Sequence, residues 1–500
     1  MKTQTNYPSI FDKPNTNNGE TNIVDAGDSR YLTDVYGTDP LPSGVFDKTV
    51  ADVGGTYHCM NCHANYIVVV PTRALRKSIT HDRNQKMECF DFASAKSIQG
   101  LKDYVQNLNK AYYKKIVVVY DSFHHVVDTL KEIGEDLGTY HVLIDEFHVL
   151  LQAMGYRQVA ITSLFNTIKE LRHVTYMSAT PIDKTYEIPE IKGLRHTKVK
   201  WNRTSNIKLD NVELTSPNAI RTYMSNIIKS VVNGTLKETD VNGNMSTVET
   251  IHIFVNSVNT ISKICEKCNL INDDVRICRS RNFAGRVPDY INGWKIEDTI
   301  DPVKKVNFYT SCCYEGCNIY CNNGLVFIMS DGYKQNMLTN VGTDMVQIAG
   351  RIRCTANWKN IFRNKLYHVY NKNGHIKNDE KFAEMLKKTE MKSTMALKMY
   401  ANSIMEDKVC ETNQWNYLPS DFMVDHLGLD FTFCVVNDHN IVYSENMKQF
   451  VLYMWGLQKQ YSREGILCMD RMSECTTRKE TGVKIDKDVL ATNSFDKDCT

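Results

Sequence analysis

Asp145 and Glu146 follow the apolar run His141–Ile144, and His148 comes two residues later. Two adjacent carboxylates at the end of a buried strand are costly unless a cation lies beside them. At the carboxyl end of a parallel strand that cation is commonly Mg²⁺, bound together with nucleotide phosphates. Asp145 would then hold the metal, and Glu146 would orient and deprotonate an attacking water. The alternative is that both carboxylates only start a helix, where they suit its dipole.

A second motif, Ser178-Ala179-Thr180-Pro181, follows the next apolar run, Val174–Met177. Alone, such a run indicates only a turn and a helix cap. The apolar residues between the two runs recur at helical spacing, which predicts a strand–helix–strand unit. The hydroxyl motif Ser178-Ala179-Thr180-Pro181 therefore ends the strand that comes after the acidic motif. This order favours a functional role for the motif over a simple turn.

Further short motifs follow apolar runs in the same way. Hydroxyl and backbone N–H groups at strand ends suit contacts with phosphates. Such contacts do not read the base sequence. These motifs are Pro71-Thr72-Arg73, Tyr120-Asp121-Ser122, Phe254-Val255-Asn256-Ser257, Thr310-Ser311, Glu315-Gly316-Cys317-Asn318-Ile319 and Gln347-Ile348-Ala349-Gly350-Arg351-Ile352-Arg353.

Taken in order, the whole set resembles the motifs of superfamily 2 helicases and spans about residues 45–370. The resemblance implies two tandem RecA-like lobes, ATP and Mg²⁺ as cofactors, and nucleic acid as a partner. Arg351 or Arg353 would reach the γ-phosphate, where a guanidinium stabilises spread charge. The catalytic residues implied are Asp145, Glu146, Gln347, Arg351 and Arg353.

The same resemblance assigns the remaining site residues. Thr56 and Asp145 would bind Mg²⁺. Nucleotide contacts are expected from Gly54, Gly55, Thr56, Asp145 and Gly316. Contacts with a nucleic-acid backbone are expected from Pro71, Thr72, Arg73, Ser122, Ser257, Thr310 and Ser311. The spelling Gln-x-x-Gly-Arg-x-Arg of the last motif is most similar to the viral origin-binding helicases, such as that of herpesviruses.

The phosphate loop departs from the family pattern. The candidate segment is Thr49–Thr56, and Gly55 stands where the family has a lysine that neutralises the β- and γ-phosphates. Asp52 in the same loop would repel phosphate. Backbone N–H groups and the helix that follows could still bind a phosphate, and Lys48 is the nearest upstream cation. The alternative is that Gly54-Gly55 is only a turn.

Alternation of apolar runs with helical patterns predicts an α/β fold of two lobes with parallel sheets, and the helicase resemblance implies that these are tandem RecA-like lobes. Strands are expected at Tyr66–Val70, Ile116–Tyr120, His141–Ile144, Val174–Met177, Ile207–Leu214, Ile251–Val255, Val306–Thr310 and Leu325–Met329. We predict an N-terminal extension at 1–42, lobes at 43–204 and 205–374, and a smaller mixed α+β accessory region at 375–500.

A formal net charge of +2 excludes a globally basic surface, so nucleic-acid contacts depend on local patches. One basic run follows the Pro71 motif, and a merely solvated face is its alternative. The run contains Arg73, Arg76, Lys77, Arg83 and Lys86.

The 500-residue chain has no apolar run near the 18 or more residues of a membrane span. The polar N-terminal segment carries no signal-peptide core. We therefore expect a cytoplasmic protein without a membrane partner. Its 16 cysteines are expected to be reduced thiols, with structural zinc at the Cys59/Cys62 and Cys265/Cys268 pairs as the less favoured reading.

The sequence thus predicts an ATP-hydrolysing helicase or translocase in DNA replication of a phage or mobile element, acting in the host cytoplasm. Single-stranded or duplex nucleic acid is the expected partner, with DNA favoured, alongside replication proteins. The missing lysine leaves a second function open, a nucleotide-gated nucleic-acid-binding protein with weak or no hydrolysis. A scaffold that no longer binds nucleotide is disfavoured by the retention of Asp145, Glu146, Gln347 and Arg351.

Overall fold

A computed structural model of the chain gives the fold of both lobes. It describes residues 21–81, 88–108, 112–181, 193–202, 207–214, 217–279, 290–331, 344–354, 357–371 and 474–480, together with the single residues 191, 334, 337 and 339. The chain divides into two compact units, with a boundary between residues 203 and 204.

The first lobe contains one parallel sheet of eight strands. The strands are β1 (Thr21–Gly27), β2 (Gly44–Asp47), β3 (Asn65–Val70), β4 (Phe90–Phe92), β5 (Lys115–Val119), β6 (Tyr140–Asp145), β7 (His173–Ser178) and β8 (His196–Trp201). Their order across the sheet is β1-β8-β2-β7-β6-β3-β5-β4. Strands β3 and β5 are largely apolar and buried, as expected for parallel strands covered on both faces.

Helices follow most of these strands, as right-handed crossovers between parallel strands require. They are α1 (Leu32–Tyr36), α2 (Gly55–Asn61), α3 (Arg73–Thr80), α4 (Ile98–Asn107), α5 (Phe123–Glu132) and α6 (His148–Ile168). Each strand expected for this lobe from the sequence is present to within one residue at either end.

The second lobe is also built on one main sheet, and all the pairings of this sheet are parallel except that of β14 with β15. Strands β10 and β11 form a separate antiparallel pair. Its larger strands are β9 (Lys208–Leu214), β12 (Thr250–Phe254), β13 (Val275–Cys278), β16 (Val306–Tyr309), β17 (Gly324–Asp331) and β18 (Lys365–Asn371). Shorter or peripheral strands are β10 (Lys237–Thr239), β11 (Met245–Thr247), β14 (Tyr290–Ile291), β15 (Trp294–Glu297) and β19 (Glu474–Glu480). The helices are α7 (Pro217–Val232), α8 (Val258–Lys267) and α9 (Asp344–Ala349). The predicted fold of two parallel-sheet α/β lobes is confirmed.

The N-terminal boundary differs from the sequence expectation. Strand β1 pairs with β8, so the first sheet begins well before residue 43. Only Ala26 of β1 is buried, and Ile23 is 63% exposed. An edge strand of this kind lacks the apolar run by which buried strands are recognised. Of the predicted accessory region, the structure describes only β19, which pairs with β9 in the second sheet.

No helix within the described ranges is both long and apolar enough to cross a membrane. The thiols of Cys59, Cys62, Cys265 and Cys268 are free, as expected for reduced cysteines. The sequence also predicts a hairpin, in which the polar turn Asn437–His439 joins the apolar runs Phe431–Val436 and Asn440–Ser444, and helices at Lys381–Met405 and Met447–Gln460. These elements lie outside the part of the chain that the structure describes.

Both lobes contain buried histidines whose rings must stay neutral. Burial lowers the pKa of His141 and His148 to about 4 in the first lobe. In the second lobe, burial lowers the pKa of His252 and His368 to about 3. An unfolded histidine takes up a proton near pH 6.5, whereas these folded rings do so only near pH 3–4. Their contribution to stability is therefore complete above pH 6.5 and is lost as the pH falls.

We predict that the free energy of unfolding decreases steadily between about pH 6.5 and pH 4, since the unfolded chain binds more protons over this range. Urea denaturation at a series of pH values measures the effect. His252→Gln should reduce the slope, whereas His81→Gln, at an exposed histidine, should leave it unchanged. Equal slopes for wild type and His252→Gln would contradict the assignment of this acid sensitivity to buried neutral rings.

Candidate active site

Three neighbouring strands of the first lobe end side by side, and each supplies a polar residue. Strand β6 ends at Asp145, β7 ends at Ser178, and β2 is followed directly by Lys48. The order β2-β7-β6 makes these strands immediate neighbours, and Lys48 N donates to Ser178 O at 3.0 Å. The carboxyl ends of parallel strands are where ligands of open α/β sheets bind.

Asp145 and Thr56 form a direct hydrogen bond across this edge. Thr56 Oγ1 donates to Asp145 Oδ2 at 2.6 Å, although the two residues are 89 positions apart. A hydroxyl and a carboxylate are the hard oxygen ligands that Mg²⁺ takes alongside phosphates and water. Within the described residues, no group of three or more His, Cys, Asp or Glu side chains could hold a metal unaided. The pair therefore fits an ion that is bound together with a nucleotide.

Glu146 is held in an unusual backbone conformation by its neighbours. Its φ of 50° lies in the left-handed region, which costs a non-glycine residue roughly 1–2 kcal/mol. Lys48 Nζ lies 3.0 Å from Glu146 Oε1, and Ser178 Oγ donates to Glu146 Oε2 at 3.2 Å. The carboxylate is only 5% exposed. Both of its oxygens are thus held in place, and strain of this kind is concentrated at functional sites.

His148 and Ser178 complete the network behind Glu146. His148 Nδ1 lies 2.9 Å from Ser178 Oγ, and Thr180 N donates to the same oxygen at 2.9 Å. The predicted acidic and hydroxyl motifs are therefore in contact. Since burial lowers the pKa of His148 to about 4, its ring is neutral at pH 7. Ser178 can then donate to Glu146 while it accepts from Thr180.

The site carries two carboxylates and one lysine. Burial raises the pKa of Asp145 to about 6; the Lys48 charge opposes this shift and the Glu146 charge adds to it. Bringing two carboxylates together in a buried place favours the neutral form of one of them. A divalent cation beside Asp145 would reverse this preference. The electrostatics of the site therefore suit a bound cation.

The loop before α2 is compact, and position 55 is closed. Gly54 precedes the helix with a φ of 71°, in the region that favours glycine, whereas Gly55 lies inside the helix. A Cβ built on Gly55 would lie 2.5 Å from Met177 Sδ and 2.8 Å from Met177 Cε. Met177 comes from β7 and is fully buried. The place of the family's lysine is thus packed against a methionine side chain.

The residues expected to contact a nucleic-acid backbone in this lobe lie at the start of helices. Thr72 caps α3, and its Oγ1 accepts a hydrogen bond from Leu75 N at 3.1 Å. Arg73 is exposed, and Ser122 is partly exposed just before α5. Arg76 differs from expectation, since it is 5% exposed and pairs with Asp91. It therefore stabilises the lobe and does not extend the basic surface.

Arg157 and Tyr120 join these motifs to the acidic motif. The Arg157 guanidinium bonds to the Asp121 carboxylate and to the Pro71 carbonyl oxygen. Tyr120 OH donates to Asp145 O at 2.8 Å. The helix α6 departs from helical geometry at Arg157, with φ −131° and ψ 29°. The arginine thus bridges the two predicted backbone-contact motifs, and Tyr120 links them to the end of β6.

The corresponding residues of the second lobe occupy strand ends as well. Ser257 caps α8 and accepts from Thr260 N at 3.3 Å. Ser311 is exposed and donates to Asn256 Oδ1 at 3.0 Å. Thr310 directly follows β16 and is 7% exposed. Gly316, which follows in the next motif, is buried. Ser257 and Ser311 therefore lie at the same end of the sheet, on successive motifs.

The arginine motif is tightly bonded within its own lobe. Arg351 Nε donates to Gln347 O at 2.7 Å, and Arg351 Nη1 donates to Glu315 O at 2.8 Å. Arg351 Nη2 donates to Gln347 Oε1 at 3.2 Å, and the residue is 4% exposed. Arg353 is less buried and bonds to Asn318 Oδ1 at 2.8 Å. The structure thus unites the Glu315 and Gln347 motifs through Arg351.

Residues 48–188 match the family model described as DEAD/DEAH box helicase. This segment is a superfamily 2 helicase domain. The matched segment begins at Lys48 and includes the acidic and hydroxyl motifs of the helicase domain. The family resemblance inferred from the sequence is therefore confirmed for this domain.

Several solved structures are similar to the chain, each at low sequence identity. Dbp5 of S. cerevisiae, bound to RNA and ADP BeF3, is 13% identical with a TM-score of 0.39 over 69% of this chain and 82% of its own. HrpB, a DExH-box NTPase of E. coli, is 14% identical with a TM-score of 0.35 over 66% and 40%. A DEAD box protein of Methanococcus jannaschii is 13% identical with a TM-score of 0.29 over 66% and 82%. No curated protein matches the chain.

Three residues of the helicase domain gain roles that the sequence did not assign. Lys48 was visible only as an upstream cation, Met177 as a buried strand residue, and Arg157 as one charge in a helix. Their partners lie 98, 122 and 86 positions away, respectively, at Glu146, Gly55 and Pro71. Contacts between residues so far apart in the sequence leave no periodicity or spacing that could predict them. The one signal for Lys48 is its position as a lone lysine directly beside a phosphate loop that lacks the usual lysine.

Proposed function

We propose that this protein is an ATP-dependent nucleic-acid helicase or translocase. The observation that carries the proposal is the network in which Thr56 meets Asp145 while Glu146 is held by Lys48 and Ser178. A hydroxyl and a carboxylate can bind the metal of a metal nucleotide, and a second, fixed carboxylate beside them can activate water.

Each residue has a separate part in this mechanism. Thr56 and Asp145 would hold Mg²⁺, which when bound neutralises charge on the phosphates. Glu146 accepts the proton of the attacking water, since its carboxylate is oriented by two hydrogen-bonding neighbours. Neutral His148 holds Ser178 in place and so preserves this orientation. Gln347, Arg351 and Arg353 are proposed to contribute to turnover from the second lobe, and Gly54, Gly55 and Gly316 to line the nucleotide.

Nucleic acid is proposed to bind through the helix-starting motifs of both lobes. Support comes from the exposed Arg73 and Ser311 and from the capping hydroxyls of Thr72 and Ser257. Such groups position a phosphate backbone without reading bases. We further propose single-stranded or duplex DNA as the substrate, replication proteins as partners, and a role in replication of a phage or mobile element in the host cytoplasm. The spelling of the last motif, which is most similar to origin-binding helicases, supports these finer statements.

The test of the proposal is ATP turnover by the full chain, measured alone and with single-stranded DNA or RNA. We expect hydrolysis that either nucleic acid stimulates. Hydrolysis that neither stimulates would contradict a helicase or translocase. A larger response to RNA than to DNA would contradict the DNA preference and leave the ATPase intact.

A second function is favoured by one observation. Gly55 replaces the loop lysine, and Met177 fills the adjoining space. A chain that binds nucleotide and clamps nucleic acid without efficient hydrolysis would tolerate this loss. Nucleotide-dependent binding of single strands, combined with turnover no faster than that of Glu146→Gln, would favour this function over the helicase.

We predict that binding to single strands is strongly salt-dependent and weakly dependent on base sequence, because backbone contacts from Thr72, Arg73 and Ser122 dominate it. Titration of several unrelated oligonucleotides at a series of salt concentrations measures both properties. Arg73→Ala should reduce the salt dependence by about one phosphate contact. Exposed Lys96→Ala, in the same lobe but outside the motifs, is the control. Affinities that differ widely among the oligonucleotides would contradict backbone recognition.

A further inference from the structure

Lys48 is a buried lysine at the place where a nucleotide phosphate would arrive. The residue is 7% exposed, and its ammonium lies 3.0 Å from Glu146 Oε1. A lysine is rarely buried to this degree unless it is paired, because removing the charge from water is costly. A lysine on the surface would need no explanation, but a lysine buried beside the two carboxylates of the site does.

The backbone of Lys48 is fixed on both sides by neighbouring strands. Its N–H donates to Ser178 O of β7 at 3.0 Å, and its carbonyl accepts from Trp201 Nε1 of β8 at 3.0 Å. Val50 N also donates to Lys48 O, at 2.6 Å. The base of the side chain is therefore locked at the start of the phosphate loop, and only its four-carbon stem can move the charge.

The position that carries the cation in related loops is unavailable here. A Cβ at position 55 would lie 2.5 Å from Met177 Sδ and 3.4 Å from Leu32 Cδ1. A long side chain could enter only if Met177 moved. The loop thus lacks a lysine at position 55 and has a buried lysine at position 48, which directly follows β2 and lies beside the ends of β7 and β6.

We infer that Lys48 supplies the charge that the loop lacks. In the nucleotide-free state its ammonium neutralises Glu146. When a metal nucleotide enters, the ammonium exchanges this carboxylate for the more highly charged β- and γ-phosphates, and the exchange frees Glu146 to take a proton from water. The inference depends on the proposed function, since it requires that this lobe bind ATP. The alternative is a permanent Lys48–Glu146 ion pair that only stabilises the lobe.

The two possibilities predict different nucleotide affinities in a double-mutant cycle. Mg²⁺-mant-ATP, a fluorescent analogue of ATP, is titrated into the full chain as wild type, Lys48→Met, Glu146→Gln and the double variant. If Lys48 contacts phosphate, Lys48→Met weakens binding about 10- to 100-fold in both the wild-type and the Glu146→Gln backgrounds. The Glu146→Gln background also avoids an uncompensated buried carboxylate, so that background stays informative even where Lys48→Met alone unfolds the lobe.

Two further variants sharpen the test. Lys114→Met removes a lysine that pairs with Glu135 in the same lobe, away from the loop, and should leave affinity unchanged. Gly55→Lys combined with Met177→Ala places a lysine at position 55 and makes room for it. When these two substitutions are added to the Lys48→Met, Glu146→Gln double variant, they should restore at least part of the lost affinity for Mg²⁺-mant-ATP.

The outcomes separate the inference from the proposed function. Weakened binding in both backgrounds supports the exchange of partners. If Lys48→Met binds as tightly as its parent in the Glu146→Gln background, Lys48 is only a structural partner of Glu146, and the inference is overturned while the ATP site stands. If the wild type itself binds no Mg²⁺-mant-ATP, the proposed function fails and the inference with it.

Discussion

Replacing Glu146 with Gln is expected to reduce ATP turnover by about 10²- to 10⁴-fold while nucleotide binding is retained. The carboxylate is the proton acceptor of the proposed mechanism, and an amide of the same shape cannot take a proton. The variant keeps the hydrogen bond from Ser178 and the local backbone, since Gln is isosteric with Glu. It also releases Lys48 from its ion pair, so affinity for Mg²⁺-nucleotide should stay equal or increase.

Hydrolysis and affinity must be measured on the same preparation, because loss of both would indicate only a misfolded lobe. Glu135→Gln is the matched control, since Glu135 also pairs with a lysine of the first lobe, Lys114. Wild-type turnover in Glu146→Gln would remove Glu146 from the mechanism. Loss of turnover in Glu135→Gln would show that any disrupted ion pair has the same effect.

Replacing Arg351 with Ala is expected to destabilise the second lobe by roughly 3 kcal/mol or more, because several buried acceptors lose a charged donor and each such loss costs about 1–3 kcal/mol. The guanidinium donates to Gln347 O, Glu315 O and Gln347 Oε1, and all these contacts are buried. Loss of the arginine removes one donor from each of these acceptors. Loss of ATPase in this variant would then reflect a damaged lobe, whether or not the proposed contact of Arg351 with nucleotide exists.

Urea denaturation of Arg351→Ala and Arg353→Ala measures the difference directly. Arg353 is more exposed, and its Nε donates to Asn318 Oδ1, so its loss should cost less, about 1 kcal/mol. Equal stabilities for wild type and Arg351→Ala would contradict the structural role. In that case the arginine would be available for the nucleotide at no cost to the fold.

The motifs at the ends of buried strands could be predicted because their signals are local. Asp145 ends an apolar run, and so does Ser178, and the contact between their networks follows from the order of the strands. The flanking strands were harder to predict for a physical reason. Strand β2 has only four residues, and β8 alternates buried and exposed positions with Lys198 and Lys200 outward. Neither gives the continuous apolar run of a central parallel strand.

The charge balance of the site could not be predicted at all. Which carboxylate Lys48 meets depends on the adjacency of β2 and β7, a property of the sheet order and not of the local sequence. The same holds for Arg76, which has the residue type and the position of a backbone contact but pairs with Asp91. Sequence spacing therefore located the chemistry, whereas the electrostatic partners of each group required the fold.

Equilibrium binding of ATP to the wild-type chain, with and without Mg²⁺, tests the proposed nucleotide site most directly. We expect saturable binding that weakens about tenfold or more when the metal is removed, because Thr56 and Asp145 are proposed to hold the ion together with the phosphates. Asp145→Asn should bind as weakly with Mg²⁺ as the wild type does without it. Absence of ATP binding, or binding of equal strength with and without the metal, would contradict the assignment of a nucleotide site to the first lobe.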